Sequence, residues 1–349
     1  MKKIITSLLA LIICINTSGC YDSKEISRIA FVIAVGFDEN SYTFQIVKPS
    51  SFDGESSDNS PLLAETISAS NVYDAMDKLN SKVAEACDFS HIKIVVFSQK
   101  VTENGIKKQI DAMLKSNDFH PNIKIAMCEG KASDYMKDMK IPLNTNPAEY
   151  YENLFRYGFT QYSPDTRLKD MQKNYSTHIK GNVIPIINGN KGMAILRNFK
   201  LTGTANYHNT LIYNLLKNNG FQGDFTITED VVVNLKKTLC NSDVIINKNS
   251  ADIVVNLTLE GNIIWEEENT DIKSVEKRTK EKLEEDIKNL LQKCSTTYKA
   301  DIFDFYKPAK TQYTTIQSWE KEIWQTIFEN TTYKVYVDVK IKREGLNIN

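Results

Sequence analysis

The side chain with the most chemistry available to it is a thiol near the start of the chain. Cys20 follows Thr17-Ser18-Gly19, which in turn follow Lys2, Lys3 and the apolar run from Ile4 to Ile15. A positive start, an apolar stretch too short to span a bilayer comfortably and small residues before a cysteine make an export signal rather than a transmembrane helix. Small residues let a peptidase approach the backbone, and a thiol left at the new N-terminus accepts a diacylglyceryl group. Two acyl chains bury many methylenes at about 0.8 kcal/mol each, enough for stable anchoring. Thr17 stands where lipoprotein signals usually carry Leu. Cys20 is the expected lipid attachment and the first residue of the mature chain, with residues 1–19 as its leader.

Other reactive groups do not assemble into a pattern. The sequence has no HExxH, no G-x-S-x-G elbow, no P-loop and no dinucleotide fingerprint. His91, His120, His178 and His208 are far apart, and Cys87, Cys128, Cys240 and Cys294 show neither CxxC nor zinc-ligand spacing. These cysteines read as small buried hydrophobes more readily than as a disulfide framework, although export permits pairing. Glu266-Glu267-Glu268 lacks the alternating oxygen donors of a calcium loop and reads as a solvated face. No catalytic, cofactor-binding or metal-ligating set is expected. Trp319 and Trp324 are candidate partner contacts, because tryptophan is over-represented at interface hot spots. Five residues apart on a helix, they are expected about 140° apart rather than stacked. Asp301 reads as a local capping or turn carboxylate.

The chain is long enough for two or three domains, and 43 basic against 44 acidic side chains leave a net charge of −1. No field points toward nucleic acid. Past the leader, no apolar stretch is long enough to cross a membrane.

The elements that would position these groups alternate. Ile29 to Gly36 is a branched, apolar run predicted as a strand buried on both faces, and Tyr42 to Val47 is its hairpin partner. Thr66 to Ser70 is a further strand, and Asn71 caps a helix carrying Val72, Ala75, Met76, Leu79 and Val83 inward. His91 to Ser98 and Ile123 to Met127 are strands, with a helix from Val101 to Leu114 between them. Asn188-Gly189-Asn190-Lys191-Gly192 is the clearest hinge, and the main boundary is placed there. Beyond it, Met193 to Leu196 and Phe199 to Thr202 form a hairpin, and short strands at 225–228, 231–235, 244–246, 253–259 and 262–265 favour an antiparallel sheet. Asp271 to Cys294 is a helix on its apolar spacing, Ser318 to Phe328 another, and Tyr333 to Ile341 a closing strand. The expected class is α+β: a multi-domain mixed α/β body whose C-terminal domain is an antiparallel sheet packed with helices. The division is 20–190 for an N-terminal α/β region, with room for two subdomains, and 191–349 for the C-terminal domain.

The order of these features is specific. Gly19-Cys20-Tyr21-Asp22, then Glu25-Ile26 and the strand ending Gly36-Phe37-Asp38, resembles the opening of the Ger(x)C lipoproteins. Gly192-Met193-Ala194-Ile195 with Lys200-Leu201-Thr202-Gly203 resembles the strand pair that opens the second half of that family. Ala300-Asp301-Ile302-Phe303-Asp304-Phe305, then Trp319, Trp324 and Gly345, is similar to its C-terminal signature. The resemblance implies a C subunit of a spore nutrient germinant receptor: non-enzymatic, lipid-anchored through Cys20 at the inner membrane of the spore, with a multi-spanning A subunit and a transporter-like B subunit as partners. It also implies a three-domain α/β body. The alternative reading is a solute-binding lipoprotein that delivers a small molecule to a transporter, with a murein-acting enzyme as a distant third.

Overall fold

A computed structural model describes residues 29–47, 62–83, 85–139, 146–154, 163–176, 181–189, 192–217, 221–228, 231–266, 271–315, 319 and 324–342. Cys20, Gly345 and most of the Glu266–Glu268 run therefore lie outside the described residues.

Strand β1 (Ile29–Phe37) is the spine of the first sheet. Its side chains are apolar throughout because both faces are covered: Val32, Val35 and Phe37 enter one core, and Ile33 and Ala34 enter another. β2 (Ser41–Val47) and β3 (Leu62–Ser68) continue antiparallel on one side; β5 (Ile94–Ser98) and β6 (Lys124–Cys128) continue parallel on the other. A three-residue β4 (Ala86–Asp88) pairs with the start of β1 and is too short to leave a periodic trace in the sequence. Helix α1 (Val72–Lys82) is capped as expected, the Asn71 side chain accepting from the amides of Tyr73 and Asp74. The helix expected from Val101 to Leu114 is two helices, α2 (Gln99–Asn104) and α3 (Lys107–Lys115). The break is Gly105, at φ 105°, a backbone angle that ends a right-handed helix and that only glycine adopts cheaply. On the opposite face lie α4 (Ala132–Asp138) and α5 (Pro147–Asn153), with α6 (Leu168–Ser176) following.

A small sheet then joins the two halves. β7 (Gly181–Pro185), β8 (Met193–Arg197) and β9 (Lys200–Ala205) pair antiparallel in that order. Successive side chains of a strand point to opposite faces, and here both faces are dry. Val183, Met193, Ile195 and Ala205 enter the C-terminal core, whereas Ile184, Ile186, Ala194 and Leu196 enter the N-terminal one. The segment expected as a hinge lies between β7 and β8, and its described residues, Asn188, Gly189 and Gly192, are held. The Asn188 amide pairs with both backbone groups of Glu129, accepting from its N–H at 2.6 Å and donating to its carbonyl at 3.0 Å. The amide of Ile187 donates to Met127, and the Tyr207 hydroxyl donates to the carbonyl of Gly189.

The C-terminal sheet runs β10 (Gly223–Thr228), β11 (Val231–Asn247), β12 (Ser250–Glu266), β13 (Thr331–Lys342). Its first three strands are antiparallel. The four short strands expected between Val231 and Trp265 are two strands of 17 residues each. Bulges at Val232/Val233 and Leu235/Lys237 shift the register and interrupt the alternation that reveals a strand in sequence. β13 joins β12 in parallel, which the expected antiparallel pattern did not include. The connection that permits it is α8 (Ile272–Thr296), a crossover helix whose Val275, Leu283, Ile287, Leu290, Leu291 and Cys294 pack on the sheet. Helix α8 also serves the free edge of β13: Glu284 accepts from the amide of Val337 at 3.0 Å and Glu276 from that of Ile341 at 2.9 Å. On the β11 side, the side-chain amide of Gln312 accepts from Ile246 and donates to Val244, as a paired strand would. Helix α7 (Tyr207–Lys217) packs on the inner side, and α9 (Tyr306–Lys310) and α10 (Trp324–Glu329) complete the unit.

Candidate functional site

The described histidines stay apart. His91 faces Asp88 at 3.4 Å, His120 accepts from the amide of Asn122, and His208 meets Asp286 at 2.9 Å, while His178 lies outside the described residues. Among the described residues no three His, Cys, Asp or Glu side chains gather in a way that could hold a metal. Cys87, Cys128, Cys240 and Cys294 are thiols, not disulfides. Burial pushes Cys128 up to about 12 and Cys240 up to about 11, which suppresses the nucleophilic thiolate at neutral pH.

The signature stretches instead build joints. In Gly36-Phe37-Asp38 each residue has a separate task. A Cβ on Gly36 would lie 2.4 Å from the sulfur of Met136 and 3.1 Å from Cβ of Ala132, so glycine lets α4 lie against β1. Phe37 fills the core beside Phe97 and Tyr42. Asp38 accepts from the amides of Ala132 and Ser133 at 2.9 and 3.0 Å, capping from a remote strand a helix whose own N-cap residue, Lys131, makes no capping bond.

Asp301 plays the same part at the other end. It is buried, and its two oxygens accept from the amides of Phe303, Phe305 and Tyr306 and from the indole of Trp324, all within 3.2 Å. Burial raises its carboxyl above the ordinary range, against the lowering effect of its hydrogen bonds. The expected turn carboxylate is thus a hub for three segments. Its backbone also touches β7, since a Cβ on Gly181 would lie 2.1 Å from the Asp301 carbonyl oxygen. Asp304, at φ 63°, pairs with Lys217 at 2.8 Å and Lys307 at 2.7 Å.

The two tryptophans are not kept apart. Their rings meet with centroids 6.2 Å apart at 36°, inside a run from Tyr313 through Trp319 and Trp324 to Phe328. A helical wheel angle describes Cβ directions, whereas two long indole side chains can turn onto one aromatic surface. Trp324 is buried and bonded to Asp301, so it has no face to offer a partner; Trp319 remains partly exposed.

Clefts open at both ends of the first sheet. At the carboxyl ends of the parallel strands, a cleft of about 590 Å³ is lined by Asp38, Glu39, Ser98, Lys100, Glu103 and Lys131. At the amino ends of β5 and β6, a cleft of about 760 Å³ is lined by Lys93, His120, Lys124, Glu152, Asp165 and Arg167. Lys124 and Arg167 share a backbone bridge, and both bond Asp165, Arg167 at 2.9 Å. Burial pushes Asp165 up, but these hydrogen bonds outweigh it and hold the carboxyl below its ordinary value. Sequence reasoning missed this cluster, because Lys93, Lys124 and Arg167 are dispersed in the chain and only the sheet brings them together.

Comparison with known proteins matches residues 22–188 to the Spore germination protein N-terminal domain and residues 191–345 to the Spore germination B3/GerAC-like C-terminal family. Spore germination protein KC of Bacillus subtilis (strain 168) is 22% identical over 198 residues, which is 53% of this chain and 49% of that protein, so the chain spans about half of that relative's length. Spore germination protein B3 of the same organism is 20% identical over 355 residues, 94% of each chain. The crystal structure of the GerBC protein shares the fold, with a TM-score of 0.54 at 16% identity, over 88% of this chain and 96% of that one. With both halves matched in order, the chain belongs to the GerAC-like family of spore germination proteins.

Proposed function

We propose that this chain is the lipid-anchored C subunit of a spore nutrient germinant receptor. Cys20 carries the acyl chains on the outer face of the inner spore membrane, and the body supports the germinant response by contact with membrane A and B subunits, without catalysis. One observation carries this reading: the two family matches open at residue 22, two positions after Cys20, and run to residue 345. The anchor confines the body to a plane and raises its effective concentration beside its partners, so modest interfaces suffice. Residues 20–190 and 191–349 form successive units fused through the β7–β9 sheet, and Trp319 is the better placed of the two tryptophans to meet a partner.

The test replaces Cys20 with Ala in spores. Loss of acylation by mass spectrometry, release from the membrane and a sharply reduced germinant response are expected, with the body still folded. Normal membrane retention and response would sink the reading. A second reading, delivery of a small solute to a transporter, draws on the 590 Å³ cleft, since open α/β sheets bind ligands outside the carboxyl ends of their strands. Titration calorimetry with amino acids and sugars separates the two: micromolar affinity favours the solute binder.

A further inference from the structure

The parallel pairing of β1 with β5, and of β5 with β6, has a directional consequence. The amino ends of all three strands lie at one end of the sheet, and that is where the chain arrives from its N-terminus. Ile29, the first residue of β1, is nine positions after Cys20, a distance of about 30 Å even at full extension. The end of the sheet nearest the proposed anchor is also the end that carries the 760 Å³ cleft.

That cleft suits an anion. Lys93, Lys124 and Arg167 line it together with two carboxylates, Glu152 and Asp165, and with His120 and Asn122. Lys124 is buried at the base with Asp165 beside it. Arg167 gives one guanidinium nitrogen to Asp165, and its planar fork has further N–H groups for a second oxyanion. Lys93 is only loosely held, 3.7 Å from Glu152. A phosphate entering here would draw Lys93 from Glu152, take the outward donors of Arg167 and find Lys124 beneath it.

We infer that this cleft seats the phosphate of an anionic phospholipid headgroup, so that the amino-terminal end of the sheet rests on the membrane. The inference depends on the reading that Cys20 brings this end to the bilayer, but its chemistry is independent of acylation and is tested without it. At the opposite end of the sheet, the carboxyl-end cleft provides an internal control with its own Lys100 and Lys131.

The experiment uses the mature chain with Cys20→Ala, sedimented with vesicles of phosphatidylcholine alone or mixed with phosphatidylglycerol. Binding is expected only to the mixed vesicles, and it should weaken as salt is raised. Lys93→Ala and Arg167→Gln should each weaken it about fivefold, the effect of one cation near an anionic surface. Lys100→Ala and Lys131→Ala should leave it unchanged. If Arg167→Gln fails to fold, Lys93→Ala, which alters a partly exposed and loosely paired lysine, decides the matter alone. Equal binding to both vesicle types, or equal losses from the control substitutions, overturns the inference. So does a thermal shift with inorganic phosphate unaccompanied by vesicle binding, which would make the ligand a free anion. The acylation state of Cys20 in spores is read separately by mass spectrometry, so failure of the anchor and failure of the cleft are distinguishable.

Discussion

The indole nitrogen of Trp324 donates to Oδ2 of Asp301 across 3.0 Å, with both side chains buried. Three backbone amides converge on the same carboxylate, from Phe303, Phe305 and Tyr306. A buried donor that loses its acceptor costs about 1–3 kcal/mol, more than the bond contributes when made. Asp301→Ala strands all of these donors and should cost at least about 3 kcal/mol in urea unfolding. Trp324→Phe keeps the ring contacts and leaves the amides in place, so about 1–2 kcal/mol is expected. Equal losses for the two variants would show that the carboxylate is not the hub.

Two glycines make a graded comparison. A methyl on Gly36 meets the far end of the flexible Met136 side chain, whereas one on Gly181 meets the backbone of Asp301. A thioether moves more easily than a carbonyl fixed by its neighbours. Gly181→Ala should lower stability by about 3 kcal/mol, at the upper end of overpacking costs, and Gly36→Ala by about 1 kcal/mol. Thermal melts of the two variants check the order.

Asp38→Ala removes the side-chain cap of α4, the only one among the described residues, and about 1–2 kcal/mol is the expected loss. Asp38→Asn retains one acceptor and should recover about half of it. Hydrogen exchange at the first turn of α4 should rise in the Ala variant and stay low at β13, far from the change.

Acid dependence separates Asp304 from its neighbour. Burial raises Asp304, but Lys217 and Lys307 outweigh this and hold its carboxyl below the ordinary value. A depressed carboxylate contributes stability that is present above its unfolded pKa, near 4, and is lost as pH falls through the folded value. Asp301 is raised, so its contribution has the opposite sign: it is complete below the unfolded pKa and declines as pH rises through the folded one. The stability gap between the natural chain and Asp304→Asn should therefore shrink as pH is lowered from about 5 toward 2. Asparagine tolerates the positive φ at this position, so backbone strain does not confuse the measurement. A gap constant with pH would mean that the ion pairs contribute nothing.

The shared sheet predicts one unfolding transition for both halves. Each of β7 and β8 feeds side chains to two cores, so neither core can open without exposing apolar surface in the other. Asn188→Ala, which deletes both bonds to the Glu129 backbone, should cost about 1–2 kcal/mol and leave the transition single. Two resolved transitions, by fluorescence and far-ultraviolet dichroism, would contradict this coupling.

Much of this was legible in the residues. The unbroken apolar run of β1 marks a strand covered on both sides, Asn71 marks its helix start, and the spacing of Leu283, Ile287 and Leu290 marks α8. What was not legible depends on partners distant in the chain. The middle of β11, with Lys236, Lys237 and Asn241 turned outward, is polar because one face of that sheet meets water, so a single strand looked like separate pieces. The direction of β13 follows from where α8 delivers the chain, which no local pattern records. The capping role of Asp38 was hidden because the amides that it serves are far along the chain, whereas Asp301 caps locally as expected and only its bond to Trp324 depends on the buried geometry.

Side chains also cover strand positions of the C-terminal sheet that no neighbouring strand pairs. Long strands with open amides are templates for sideways growth between molecules. Here Glu276 and Glu284 occupy two such amides on β13, and Gln312 occupies a donor and an acceptor on β11. Two molecules brought side by side would thus meet strand positions already occupied, which works against zippering into fibres at these points.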